Sequence, residues 1–233
     1  MIGKSTFWTV LLLAAAPLGA APLVGVTTNM GEFVIELNPQ RAPLTVENFL
    51  RYVNEGFYNG TLFHRVVANF VVQGGGYAAA DKKLKKPHDS IANESGSGLQ
   101  NLRGTVGLAR AEGAHSGNSQ FYVNLADNPD LDPVPTRWGY AVFGKVVQGM
   151  DVLERIGVMP TGASGPFKSE APLQQVVIEK VVVLSGAANV APAPAPADAK
   201  PVSPAAAPAD STASPPAESA PPPSPAEAPP PAQ

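Results

Sequence analysis

The residues able to do chemistry are few, and their types narrow the reaction. Cysteine is absent, which excludes disulfides, thiol nucleophiles and zinc–thiolate sites. Three histidines are present, His64, His88 and His115, and none has metal-ligand spacing such as H-E-x-x-H. No G-x-S-x-G elbow and no phosphate-binding P-loop appear. No metal or other cofactor is implied. A reaction run by this chain would need neither nucleophile nor metal. The segment that stands out is Phe63–Gly75, FHRVVANFVVQGG in one-letter code. It reads as two β runs ending in glycines. On an alternating strand His64, Val66 and Ala68 face one way, and Phe63, Arg65 and Val67 the other. An arginine within such a strand, near aromatics and a glutamine, needs a polar task or lies at an edge. By periodicity alone, a surface arginine paired to a carboxylate is the simpler reading.

The elements that must position these residues can be followed along the chain. Residues 24–29 and 32–37 are β-rich and flank a short turn, predicting a hairpin with Phe33, Ile35 and Leu37 on its buried face. Val46, Phe49, Leu50 and Val53 have helical spacing, with a start at Thr45 or at Pro43 and Gly56 at the end. Further short β runs fall at 104–109, 120–125, 140–146 and 175–184. Residues 150–156 form a second helix with Val152, Leu153 and Ile156 inward. Residues 77–103 are polar and Gly-rich, and their basic run, Lys82–Lys86, reads as a solvated loop face. Seven or eight strands with two helices predict a mainly β fold, a closed antiparallel barrel with helices over its ends.

The two ends differ in composition from this middle. Residues 1–20 carry Lys4, an uncharged run from Phe7 to Ala16, and small residues after Pro17, as a cleavable secretory signal does. The run is too short for a stable membrane span. Export, with the periplasm as the compartment, is the expectation, and cleavage after Ala20 the simplest position. Residues 187–233 hold 15 of the 26 prolines and 17 alanines, with no aromatic residue. Such a segment buries too little to offset its ordering entropy, so a disordered, extended tail is predicted. Nothing in it names a partner. Of the net charge of −3, the tail supplies all, leaving residues 1–186 balanced at 15 basic and 15 acidic residues. A neutral domain is a poor nucleic-acid binder. Between the ends, about 165 residues suffice for one domain with a proper core.

Four segments in order carry a resemblance: Phe63–Gly75, Gly104–Ala109, Asn118–Asn124 and Tyr140–Val146. Together they resemble the cyclophilin-type peptidyl-prolyl cis/trans isomerases, over residues 23–185, and in the short 77–103 connection and Trp138–Tyr140 the exported bacterial branch. The resemblance implies a closed eight-stranded antiparallel barrel capped by two α-helices. It implies isomerisation of X–Pro bonds in unfolded or flexible client proteins, with Arg65 as the catalytic group. Phe70, Val71, Tyr122 and Leu131 match the family's proline pocket. Gln73 matches a residue that orients the arginine and touches substrate. Ala109, Arg110 and Gln120 match the neighbouring groove for the peptide backbone, with Arg110 standing where asparagine is commoner and expected to act through its main chain. His64 is family-typical and reads as a satisfied structural histidine.

Two departures from the family pattern bear on binding. Tyr140 stands where many members carry a pocket histidine. Asp130 stands where drug-sensitive members carry a tryptophan, so weak cyclosporin binding is expected, and Trp138 lies eight positions later. The competing readings are a proline-peptide-binding module without turnover and an envelope scaffold in which the tail matters most.

Overall fold

The first hairpin shows how the barrel is built from alternation. In the computed structural model, which describes residues 21–184, strand β1 (Leu23–Thr28) pairs with β2 (Gly31–Leu37). Val24 and Val26 from one strand, and Phe33, Ile35 and Leu37 from the other, are at most 1% exposed. The Thr28 hydroxyl donates to the Gly31 carbonyl and accepts from the Met30 N–H, closing the turn. The expected signal at 1–20 and tail at 187–233 lie outside the described residues.

Six further strands complete the barrel: β3 (Thr61–Val67), β4 (Val71–Ala78), β5 (Thr105–Leu108), β6 (Phe121–Asn124), β7 (Val142–Gln148) and β10 (Val176–Val183). They close in the order β1-β10-β3-β4-β6-β5-β7-β2, every pair antiparallel. The fold is thus the mainly β, closed eight-stranded barrel with two helices that the sequence predicts. Closure removes the unpaired strand edges that an open sheet would expose.

Helix α1 (Pro43–Asn54) covers the barrel with Val46, Phe49, Tyr52 and Val53. It starts at Pro43, where a missing N–H costs nothing, and its first residues are capped from a distance. The Glu94 carboxylate accepts from the Leu44 and Thr45 N–H groups and the Thr45 hydroxyl. An anion at a helix N-terminus also meets the favourable end of the dipole. Helix α2 (Met150–Gly157) buries Val152, Leu153 and Ile156. The two helices and the strands share one core. Within it Phe49 touches Tyr58, Phe121 and Phe143 at 5.2, 5.5 and 5.1 Å between ring centroids.

One element was not legible in the sequence. Strands β8 (Thr161–Ser164) and β9 (Phe167–Pro172) form a separate two-stranded hairpin outside the barrel. Apart from Phe167 their residues are small or polar, so no apolar periodicity announces them. The hairpin lies over β3, where Phe167 meets Tyr77 edge-to-face at 4.9 Å and His64 at 5.5 Å. The basic run is also less solvated than expected. Lys82 Nζ donates to Ser164 Oγ at 2.8 Å, and Lys85 donates to the Phe57 carbonyl and sits 4.4 Å from that ring's centroid. Two of its four lysines therefore fasten the loop, because the hairpin and the turn after α1 supply acceptors that the local sequence does not show.

Candidate active site

A bulge sets the direction of Arg65. Along β3 and β4 the opposed residues are Phe63 with Gly74, Arg65 with Gln73, and Val66 with Val72, so His64 is an extra residue. Gly74 and Gln73 are neighbours and point to opposite faces, so Phe63 and Arg65 also part. Phe63 and Val66 enter the core, at 1% and 2% exposure, while Arg65 stays on the outer face. The expectation from strict alternation, that Phe63 and Arg65 share a face, is corrected here. The bulge needs Gly74: a Cβ there would lie 2.7 Å from both the Leu62 carbonyl oxygen and the Phe63 ring.

The bulged residue His64 is 8% exposed, and its Nδ1 is buried without a hydrogen-bond partner. It is therefore not the fully satisfied histidine expected. Burial lowers its pKa to about 4, opposed by the nearby Leu62 carbonyl and assisted by Arg65. The ring stays neutral and packs on Tyr77 at 4.6 Å and on Phe167.

The Arg65 guanidinium donates through Nε to Glu170 Oε2 at 2.7 Å and sits 5.8 Å from the Phe70 ring centroid. The two charged side chains are 35% and 42% exposed. Gln73 stands across the strand pair from Arg65, but its amide donates to Gln120 Oε1 at 3.1 Å. The hydrogen-bond partner of the guanidinium among the described residues is Glu170, which sequence reasoning did not select. It lies in β9, where no pattern distinguishes it from other surface carboxylates.

Across β4 from Arg65, the outer face of β6 is polar but buried. All four residues of β6 are buried. Phe121 and Val123 belong to the core, and Tyr122 and Asn124 face outward. Gly107 opposes Tyr122 across β5 and β6, and a side chain there would overlap the tyrosine ring. The Tyr122 hydroxyl donates to Asn101 Oδ1 at 2.6 Å. Asn101 in turn donates from both its main chain and its amide to Asp132 Oδ1, each at 2.8 Å. Asn124 also donates to Asn101, and Asn128 bridges Asn124 Oδ1 and the Phe70 carbonyl at 2.7 and 3.0 Å. This network ties Phe70, Tyr122 and the turn holding Leu131 into one unit. Burial pushes the Tyr122 phenol well above the usual tyrosine value, with Tyr140 and Asp132 adding to it. Asn101, Asn128 and Asp132 were missed in the sequence, because single amides and carboxylates in loops carry no periodic signal.

The other candidate residues lie around this network. Phe70 and Leu131 are half-buried, and Val71 is 2% exposed on β4 opposite Asn124. The Tyr140 N–H donates to the Leu131 carbonyl at 2.8 Å, and its ring meets Tyr122 edge-to-face at 6.1 Å. Arg110 lies over Tyr140 at 4.5 Å and donates to the Gly139 and Trp138 carbonyls at 3.2 and 2.9 Å. Its side chain is thus a strut for 138–140. Trp138 is 48% exposed against His115, and Asp130 is exposed next to Leu131.

On the other side of the Gln73–Gln120 pair is a groove of about 220 Å³, lined by both glutamines, Ala109, Arg110 and Asn118. Gly76 makes room for the Gln120 side chain: a Cβ there would lie 2.6 Å from Gln120 Cγ. The structure thus sets Arg65 by Phe70 and across from Gln73, Gln73 on Gln120, and Tyr140 on Tyr122 and Leu131, with Val71 across from Asn124 and with Ala109 and Arg110 in the groove of the two glutamines. Such an arrangement can hold a small apolar ring next to a cation while an extended chain lies in the groove.

The family model described as cyclophilin type peptidyl-prolyl cis-trans isomerase/CLD matches residues 23–183. Peptidyl-prolyl cis-trans isomerase A of Dickeya dadantii (strain 3937) is 45% identical over 180 residues, covering 76% of this chain and 94% of that protein. Peptidyl-prolyl cis-trans isomerase B of Escherichia coli (strain K12) is 45% identical over 159 residues, 67% of this chain and 96% of that protein. A crystal structure of a Cryptosporidium parvum cyclophilin-type isomerase, determined in the presence of the dipeptide Ala-Pro, is similar with a TM-score of 0.57. It is 25% identical and covers 70% of this chain and 99% of its own.

Proposed function

The chain belongs to the cyclophilin-type peptidyl-prolyl cis-trans isomerase family and is such an isomerase, and from that premise we propose that Arg65 drives the rotation of X–Pro bonds held in the slot of Phe70, Val71, Tyr122, Leu131 and Tyr140. Amide resonance sets a barrier of about 18–20 kcal/mol to rotation. Twisting the bond breaks conjugation and leaves a pyramidal nitrogen and a less delocalised carbonyl. A fixed cation stabilises that state more than the planar one, which is what catalysis requires. No proton or covalent bond needs to move. A 10⁵-fold acceleration would need about 7 kcal/mol. One charge-assisted hydrogen bond supplies roughly 1.5–3 kcal/mol. The remainder is assigned to preorganisation and to holding the proline ring against apolar walls.

The observation that supports this most is the placement of the guanidinium beside the Phe70 ring, bonded through Nε alone. The Nη groups are left without a partner among the described residues. The groove past Gln73 and Gln120 would take the flanking peptide through main-chain hydrogen bonds. The test is a protease-coupled assay on an Ala-Pro tetrapeptide with the wild type and Arg65→Ala. The variant should lose about 10²–10³-fold in turnover, the scale for removing one transition-state donor, with its thermal midpoint unchanged. An undiminished rate would remove Arg65 from this role.

The substrates we propose are proline-containing segments of unfolded or flexible exported proteins. The pattern of residues 1–20 supports export, and the periplasm is the proposed compartment. Fractionation of cells, with the N-terminus of the mature protein read near residue 21, tests it. A full-length chain retained in the cytoplasm would refute it. We also propose weak cyclosporin binding, since Asp130 offers a charge where an indole would supply apolar contact. A titration giving low-nanomolar inhibition would contradict it.

A further inference from the structure

We propose that Glu170 is a positioning residue for the arginine of the slot: it fixes the Nε edge of Arg65 so that the two Nη groups face the bound X–Pro bond. The inference rests on the role proposed for Arg65 above. Three observations carry it. Glu170 has φ +59, one of three non-glycine residues in the left-handed region among the described residues. Such a conformation is costly for a side chain with a Cβ and is retained where the surroundings impose it. The surroundings do so here. Ala171 and Pro172 are buried directly after it, Phe167 is packed on Tyr77 and His64, and Ser164 accepts from Lys82.

The resulting ion pair, at 2.7 Å and with both partners more than a third exposed, is of a kind that adds little to stability. The strain is therefore not offset by the pair's own contribution to folding. What the pair does achieve is directional. It uses one of the five guanidinium donors and leaves the fork opposite it open. An arginine is otherwise a long chain with several rotamers, and holding it costs rotamer entropy that would be paid during each turnover.

The experiment compares full-length wild type, Glu170→Ala, Glu170→Gln, Glu170→Gly, Arg65→Ala and the double variant Arg65→Ala/Glu170→Ala on an Ala-Pro tetrapeptide, with thermal midpoints measured alongside. Glu170→Ala should lower kcat about tenfold with KM little changed, the loss of one charge-assisted hydrogen bond. Glu170→Gln, which keeps an oxygen at the same reach, should recover part of that rate. Glu170→Gly relieves the backbone strain and should be at least as stable as wild type while still slow. In the Arg65→Ala background, removing Glu170 should cost nothing further. A wild-type kcat in Glu170→Ala, an equal loss with and without Arg65, or a glycine variant both slow and destabilised would each overturn the inference. If Arg65→Ala is slow while Glu170→Ala is not, the arginine reading stands and this one fails. If Arg65→Ala is as fast as wild type, both fail.

Discussion

The two faces of the sheet formed by β3, β4 and β6 are built from alternate residues of the same strands, yet they obey different rules. On the inner face Phe63, Val66, Val72, Phe121 and Val123 are at most 2% exposed and meet other apolar groups. On the outer face Tyr122 and Asn124 are as deeply buried, at 3% and 0%, but their polar atoms are hydrogen-bonded to Asn101, Thr105 and Asn128. Arg65 and Gln73 extend the same outer face toward solvent. The inner face sets how stable the barrel is. On the outer face burial goes with polarity, and its cost is met by hydrogen bonds between the buried groups.

The comparison is broken most easily at Phe121. Its ring meets Phe49, Tyr58 and Phe63 at centroid distances of 5.5, 5.4 and 5.9 Å. Phe121→Ala should cost about 3–5 kcal/mol of stability, the combined loss of transfer energy and of the cavity left behind. Urea unfolding measures it. A loss below about 1 kcal/mol would mean that the inner face is not the stabilising one.

His64 lies at the seam between the faces, and acid should find it. Its folded pKa of about 4 is depressed by burial, against about 6.5 in the unfolded chain. Between these values the unfolded state holds more protons. His64's contribution is thus fully present above pH 6.5 and is lost as the pH falls, levelling below pH 4. The loss amounts to about 3 kcal/mol across that window. His64→Phe should remove this component, so the difference in stability between variant and wild type should change between pH 7.5 and pH 4.5. A constant difference would show that His64 takes its proton in the folded state as readily as in the unfolded one.

The same contrast explains what could be read from the chain. The inner face was legible because alternation and helical spacing report burial of apolar groups: Phe33, Ile35 and Leu37, or Val152, Leu153 and Ile156, follow from pattern alone. The bulge at His64 was not, because a one-residue insertion in the ladder leaves composition unchanged while reversing every direction after it. The residues of the proposed slot were selected through family motifs, since Phe70 and Tyr122 look like ordinary core without them. The supporting groups, Glu170, Asn101, Asn128 and Asp132, were missed for a physical reason. They act through contacts across 105, 21, 58 and 31 positions of chain, and no local signal records such a contact.

The smallest change, the loss of one oxygen, sharpens the comparison furthest. Tyr122→Phe keeps the ring that walls the slot and removes only the hydroxyl that donates to Asn101. Asn101 Oδ1 would still accept from Asn124 at 3.2 Å, so no acceptor is left without a donor. The cost should be about 1 kcal/mol, the net worth of one neutral hydrogen bond. Turnover of an Ala-Pro peptide should stay near the wild-type value, because the substrate would meet the ring and not the hydroxyl beneath it. Unfolding curves and the isomerase assay on the same preparation separate the two effects. A large loss of rate at this small cost in stability would place the hydroxyl in contact with substrate and make the floor of the slot part of the chemistry.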